Sequence, residues 1–138
     1  MRFTIYADGG ARGNPGPAGS GAIVRNESGE TVATVSEFLG VATNNVAEYT
    51  AVLRAFETLA AMLEDKAREA DLDVRLDSML VVKQMGGEWR IKNEGLKPLA
   101  ARVAELARRF RSVSYTHVYR DQNKDADRLA NEAMDKGR

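Results

Sequence analysis

The chain has 138 residues, 43% of them hydrophobic, no cysteine, and 20 basic residues against 20 acidic ones. The length suits one domain able to bury a core, and the missing cysteines exclude disulfides and thiolate metal sites. No run approaches the ~18 apolar residues of a membrane span, and zero net charge removes the simplest argument for a nucleic-acid binder, a basic excess.

The N-terminal MRFTIYADGG enters a strand at once, leaving no room for a leader peptide, so the cytoplasm is the simplest location. Three strand-like runs come first, Arg2–Asp8, Gly21–Asn26 and Thr31–Leu39, with Glu27-Ser28-Gly29-Glu30 as a hairpin turn between the last two. A helix is predicted from about Asn45 to Glu64, because Tyr49, Val52, Leu53, Phe56, Leu59, Ala60 and Leu63 recur at helical spacing. Leu72–Asp77 reads as a buried strand, and Ser78 as the cap of a short helix ended by Gly86-Gly87. A further helix follows Pro98. Val113–Arg120 is the last strand, and Asn123 is read as the cap of a final helix with Ala126, Leu129, Ala130 and Ala133 inward. The order βββαβααβα, without repeats or linkers, predicts a single mixed α/β domain over residues 1–138.

Four acids stand in distinctive settings. Asp8 closes the first strand and opens a glycine-rich turn, Glu48 lies one turn into the first helix, Asp77 ends the fourth strand, and Asp127 starts the last helix. A crossover from the first helix into a parallel neighbour of strand one would set Asp8 and Asp77 at adjacent carboxyl ends, where open α/β sheets place ligands. Each acid alone has an ordinary explanation, as turn residue, dipole partner or cap. Four converging carboxylates instead repel unless cations neutralise them, and hard oxygen donors favour Mg²⁺ or Mn²⁺ over zinc.

The segments YADGGARGNPGPAGSGA, TNNVAEY, LDSMLVVKQ with GEWRIKN, and NKDADRLANEA together resemble the type 1 ribonuclease H family over nearly the whole chain. They are most similar to its short bacterial and archaeal-like branch, which lacks a long basic protrusion between the middle helices. In some actinobacterial relatives such a domain precedes a phosphatase-like domain. The resemblance implies a ribonuclease H-like fold, a five-stranded mixed sheet flanked by helices. It also implies endonucleolytic cleavage of the RNA strand of an RNA–DNA hybrid, leaving 5′-phosphate and 3′-hydroxyl ends. Asp8, Glu48, Asp77 and Asp127 match the family's four metal ligands, which implies two Mg²⁺ ions about 4 Å apart with substrate, Mn²⁺ being a substitute. Asp8, on the expected central strand, is the candidate to bridge both ions.

The same resemblance suggests substrate contacts. Gly9, Gly10 and Gly13 allow close backbone approach, and Asn14 matches a polar contact to nucleic acid. Thr43, Asn44 and Asn45 precede or open the first helix, where they can hold phosphate or sugar or simply cap it. Trp89 resembles the aromatic that packs on deoxyribose, its alternative being a partly buried hydrophobe. Arg90, Lys92 and Lys97 are candidates for DNA-phosphate contacts, or plain surface cations.

Two departures stand out. The only histidine, His117, lies in the strand-like SYTHVYR instead of a loop before the last ligand, so it is read as structural, and Arg120 as the phosphate-facing cation in its stead. Met79 stands where the family often has a polar residue after Asp-Ser, which implies an altered positional preference. Asp125 is read as a helix-start residue, its alternative being an influence on the metal site. The competing functions are a non-catalytic hybrid-binding module and another nuclease of the same fold, such as a resolvase, integrase or exonuclease. Nothing in the sequence demands an oligomer or an obligatory protein partner, so a monomer is expected.

Overall fold

The computed structural model describes residues 1–137. Five strands, β1 (Arg2–Ala11), β2 (Gly16–Arg25), β3 (Thr31–Ala42), β4 (Asp71–Leu76) and β5 (Ser112–His117), form one sheet in the order β3-β2-β1-β4-β5. β1 pairs antiparallel with β2 and parallel with β4, and β5 continues the parallel half. β1 is therefore the central strand, and the expected mixed five-stranded sheet is present. The helices are α1 (Asn44–Leu63), α2 (Met79–Met85), α3 (Lys97–Ala107) and α4 (Lys124–Lys136).

α1 forms where the helical spacing of apolar residues lies, and it buries Tyr49, Val52, Leu53, Phe56 and Leu59 completely. Each such side chain contributes about 1.5–3 kcal/mol from removal of apolar surface from water. They meet Phe3, Ile5 and Ala7 of β1 and Leu72 and Val74 of β4, with Val103 of α3 and Phe110 closing the layer. The Phe56 and Phe110 rings lie 5.7 Å apart in a tilted pair. Strand alternation sends the intervening residues to the opposite face, where α4 packs on β2 through Ala126, Leu129, Ala130 and Ala133.

Several boundaries differ from the sequence reading; β3 runs on to Ala42 instead of stopping at Leu39, and β4 stops at Leu76, so Asp77 lies just past it. Asp8 does not end β1; the strand runs on to Ala11, and Gly9, Gly10 and Ala11 pair with Ser20, Gly19 and Ala18 of a β2 that starts at Gly16 instead of Gly21. Glycine lowers local strand propensity, so this stretch reads as a turn until its partner strand is seen. β5 ends at His117, and Arg120 opens a 3-10 turn, Arg120–Gln122. Asn123 holds the cap position of α4 but makes no side-chain capping bond.

Candidate active site

The ends of β1 and β4 and the starts of α1 and α4 surround one cavity of about 690 Å³, lined by Asp8, Glu48, Asp77 and Asp127 together with Gly9, Gly10, Arg12, Asn44, Ser78, Arg120 and Asn131. Backbone fit brings these elements together. A Cβ on Gly9 would lie 2.3 Å from the Ala47 carbonyl carbon and 2.5 Å from the Glu48 nitrogen, so the missing side chain is what lets α1 settle on β1 beside Asp8. Ser20 Oγ fastens the same turn of α1 by donating to Ala47 O at 2.6 Å. On the other face, a Cβ on Gly21 would lie 2.4 Å from Ala126 O, so α4 lies directly on β2 and carries Asp127 to the cavity.

Asp8 and Glu48 are buried, with 8% and 7% exposure. Burial, reinforced by Asp77, Asp127 and Glu48, pushes the Asp8 carboxyl up to about 8. Burial and Asp77 push Glu48 up to about 8, against a hydrogen bond from Ser78. Asp77 is raised by burial, with Arg120 pulling it down. Glu48 Oε2 is buried without a hydrogen-bond partner. A buried carboxylate oxygen without a donor calls for a proton or a cation. The all-oxygen donor set fits a hard divalent ion. Among the described residues no group of three or more acids is placed to hold a metal ion by itself.

The remaining predicted site residues divide. Asn44 lines the cavity, and its Oδ1 accepts from Ala11 N at 2.7 Å, while its own backbone nitrogen donates to Asn14 Oδ1 at 3.1 Å. Asn14 thus anchors the start of α1, and its peptide to Pro15 is cis. Thr43 caps α1 by accepting from Val46 N at 3.2 Å. Gly13, at φ +95°, serves the β1–β2 turn. Gly9 faces Ala47, not open space, whereas Gly10 has its nearest neighbours at 3.9 Å.

Asn45 and Trp89 lie elsewhere, in a second cavity of about 580 Å³ with Leu80, Gln84, Arg90 and Lys92. Trp89 is 48% exposed. Adjacent residues on the first turn of α1, Asn44 and Asn45, therefore line different cavities. Lys97 pairs with Glu94 at 2.7 Å and lines neither cavity. Met79 is exposed at the start of α2. His117 closes β5 with its ring edge-on to Tyr119 at 5.5 Å, and Asp125 pairs with Arg25 at 2.8 Å, away from the four acids.

Sequence reasoning passed over Arg12, Ser78 and Asn131 as cavity residues. Arg12 is paired with Asp135 of α4 at 2.6 Å. Ser78 follows Asp77 directly and Asn131 lies one helical turn beyond Asp127, so both could have been found by spacing. Asn123 was read only as a cap; it is 1% exposed, and its Nδ2 donates to Ala7 O at 2.9 Å across 116 residues.

A family model described as reverse transcriptase-like matches residues 6–133. The chain is 44% identical over 136 residues to the bifunctional protein Rv2228c of Mycobacterium tuberculosis, covering 98% of this chain and 36% of that protein. It is 42% identical over 134 residues to ribonuclease HI of Halobacterium salinarum, covering 97% and 65%. Among solved structures it is similar to LC11-RNase H1 in complex with an RNA/DNA hybrid, at TM-score 0.91 and 44% identity, covering 97% of each chain. The chain thus spans only part of the length of these curated relatives.

Proposed function

We infer that this chain, which belongs to the ribonuclease H family, is a metal-dependent endoribonuclease that hydrolyses the RNA strand of RNA–DNA hybrids. One observation carries the reading: carboxylates from β1, α1, α4 and the turn after β4 line a single cavity, with the Glu48 Oε2 buried and unpartnered. Supporting it, a solved relative of the same fold and 44% identity holds an RNA/DNA hybrid.

Asp8, Glu48, Asp77 and Asp127 are the residues that would hold divalent ions, Mg²⁺ with Mn²⁺ as a substitute, two of them with substrate. Such ions, when bound, lower the pKa of water and neutralise charge on the scissile phosphate. The protein's own part is placement. Asp8 lies on the central strand with the other three acids around it, and Arg120 on the cavity wall faces the phosphate with a permanent positive charge. Water attacks phosphorus, the bond to the 3′-oxygen breaks, and that oxygen leaves with a proton, giving 5′-phosphate and 3′-hydroxyl ends.

The two cavities on either side of the α1 start suit the two strands of a hybrid. Gly10, Asn44 and the hairpin of Gly13 and Asn14 adjoin the RNA strand, whose 2′-hydroxyls are read across a shallow groove. Asn45 and Trp89, with Arg90 and Lys92, take the DNA strand, the indole packing on deoxyribose. The catalytic unit is the single domain of residues 1–138, acting as a monomer. No helix among the described residues is long and apolar enough to cross a membrane, and we place the activity in the cytoplasm. Asp8→Asn and Asp77→Asn should abolish cleavage with circular dichroism unchanged; substantial turnover in Mg²⁺ by either variant would remove that residue from the site.

A further inference from the structure

We propose that Asn123 is a positioning residue for the acidic site: its side-chain amide ties the strand that carries Asp8 to the helix start that carries Asp127. The inference deepens the functional reading above and rests on it. Pairing of β1 with β4 ends at Tyr6 and Arg75, so the next carbonyl on β1, that of Ala7, lies past the last paired residue. Asn123 Nδ2 donates to it at 2.9 Å, one peptide unit before Asp8. The Asn123 carbonyl in turn accepts from Asp127 N at 3.1 Å. One residue, 1% exposed, is therefore bonded both to the peptide before Asp8 and to the backbone of Asp127.

An asparagine at a helix start ordinarily turns its side-chain oxygen onto the amides of the first turn. Asn123 does not, and its Oδ1 is buried with no partner. The side chain forgoes the local bond that its position offers and makes a long-range one instead. Local rules are broken in this way at functional sites. The chemistry also separates tether from cap. Aspartate caps a helix as well as asparagine does, but its carboxylate has no N–H to give the Ala7 carbonyl.

Asn123→Asp is therefore the deciding variant, with Asn123→Ala beside it and Phe110→Leu, on the far side of the core, as a control for lost stability. Calorimetric titration of the metal-free proteins with Mg²⁺ and with Mn²⁺, without substrate, reads the effect. Partners that orient ligands are worth ~10- to 100-fold in metal affinity. Both Asn123 variants should bind that much more weakly while Phe110→Leu binds as the parent does. The fall in Asn123→Asp is the telling result, since an added negative charge alone would strengthen cation binding. Parent-like or tighter binding by Asn123→Asp overturns the proposal, as does failure of both variants to fold in excess metal, which would make Asn123 a residue of the fold. Hybrid cleavage by the parent is scored separately, so a chain that binds metal without cutting hybrid fails the activity reading and not the tether.

Discussion

Two adjacent glycines should respond oppositely to the same substitution. In Gly9→Ala the new Cβ would meet the Ala47 carbonyl carbon at 2.3 Å, its oxygen at 2.4 Å and the Glu48 nitrogen at 2.5 Å. All three are backbone atoms of α1, so no rotamer change relieves the clash. The helix must retreat by roughly 0.7 Å to reach even the 3.0 Å that Cβ contacts almost never go below. Overpacking of this kind costs about 1–3 kcal/mol, and it moves Glu48 away from Asp8. Misplacement by ~1 Å can lower a rate ~100-fold. In Gly10→Ala the nearest atoms, Asn44 Oδ1 and the Met134 methyl, stand at 3.9 Å, so the substitution should stabilise by about 0.4–1 kcal/mol through the stiffer unfolded chain. The Gly10 variant should instead weaken hybrid binding, because the methyl enters the substrate cavity. Urea denaturation and steady-state cleavage at saturating metal read both effects. A Gly9→Ala protein as stable and as fast as the parent would refute the reasoning.

Metal-free stability should fall as pH rises from about 4 to about 8 and level off above. The folded chain keeps protons on Asp8 and Glu48, both pushed up to about 8, that the unfolded chain sheds earlier. Urea titrations in EDTA check this, and a stability that climbs over that window contradicts it. It follows that Mg²⁺ should stabilise more at pH 8 than at pH 5, and that Asp8→Asn should raise metal-free stability at pH 8; melting curves with and without metal test both. Arg120→Ala should slow turnover by ~10-fold or more with little change in melting temperature, since the side chain is exposed and supplies charge to the reacting phosphate; unchanged kinetics would strip it of that role. Trp89→Ala should weaken hybrid binding at parental metal affinity, measured by fluorescence anisotropy, and His117→Ala should affect stability more than rate. A selective rate loss in His117→Ala would make that histidine catalytic.

Periodicity made most of the fold legible. The buried run of β4 and the apolar stripe of α1 mark their elements nearly to the residue, and the strand-helix-strand crossover predicts the parallel pairing of β1 with β4 that sets Asp8 beside Asp77, which lies just past the end of β4. The convergence of the four acids on one cavity was legible from the order of elements, although Asp8 lies within β1 and not at its end. What stayed hidden depends on partners far away in the chain. Gly9 and Gly21 read as turn or strand glycines until α1 and α4 are seen lying on them. Asn123 read as a helix cap because its bond to Ala7 spans 116 residues and leaves no local pattern. The run Val113–Arg120 reads as one strand, but β5 stops at His117; Val118 N still bonds Leu76 O before the 3-10 turn begins at Arg120.

The most direct measurement incubates the purified chain with an end-labelled RNA–DNA hybrid in Mg²⁺, in Mn²⁺ and in EDTA, beside single-stranded RNA, double-stranded RNA and duplex DNA of matched sequence. The account predicts internal cuts in the RNA strand of the hybrid alone, with 5′-phosphate ends, dependent on metal. Metal-independent cutting, equal cutting of the other substrates, or hybrid binding without any cleavage would contradict it.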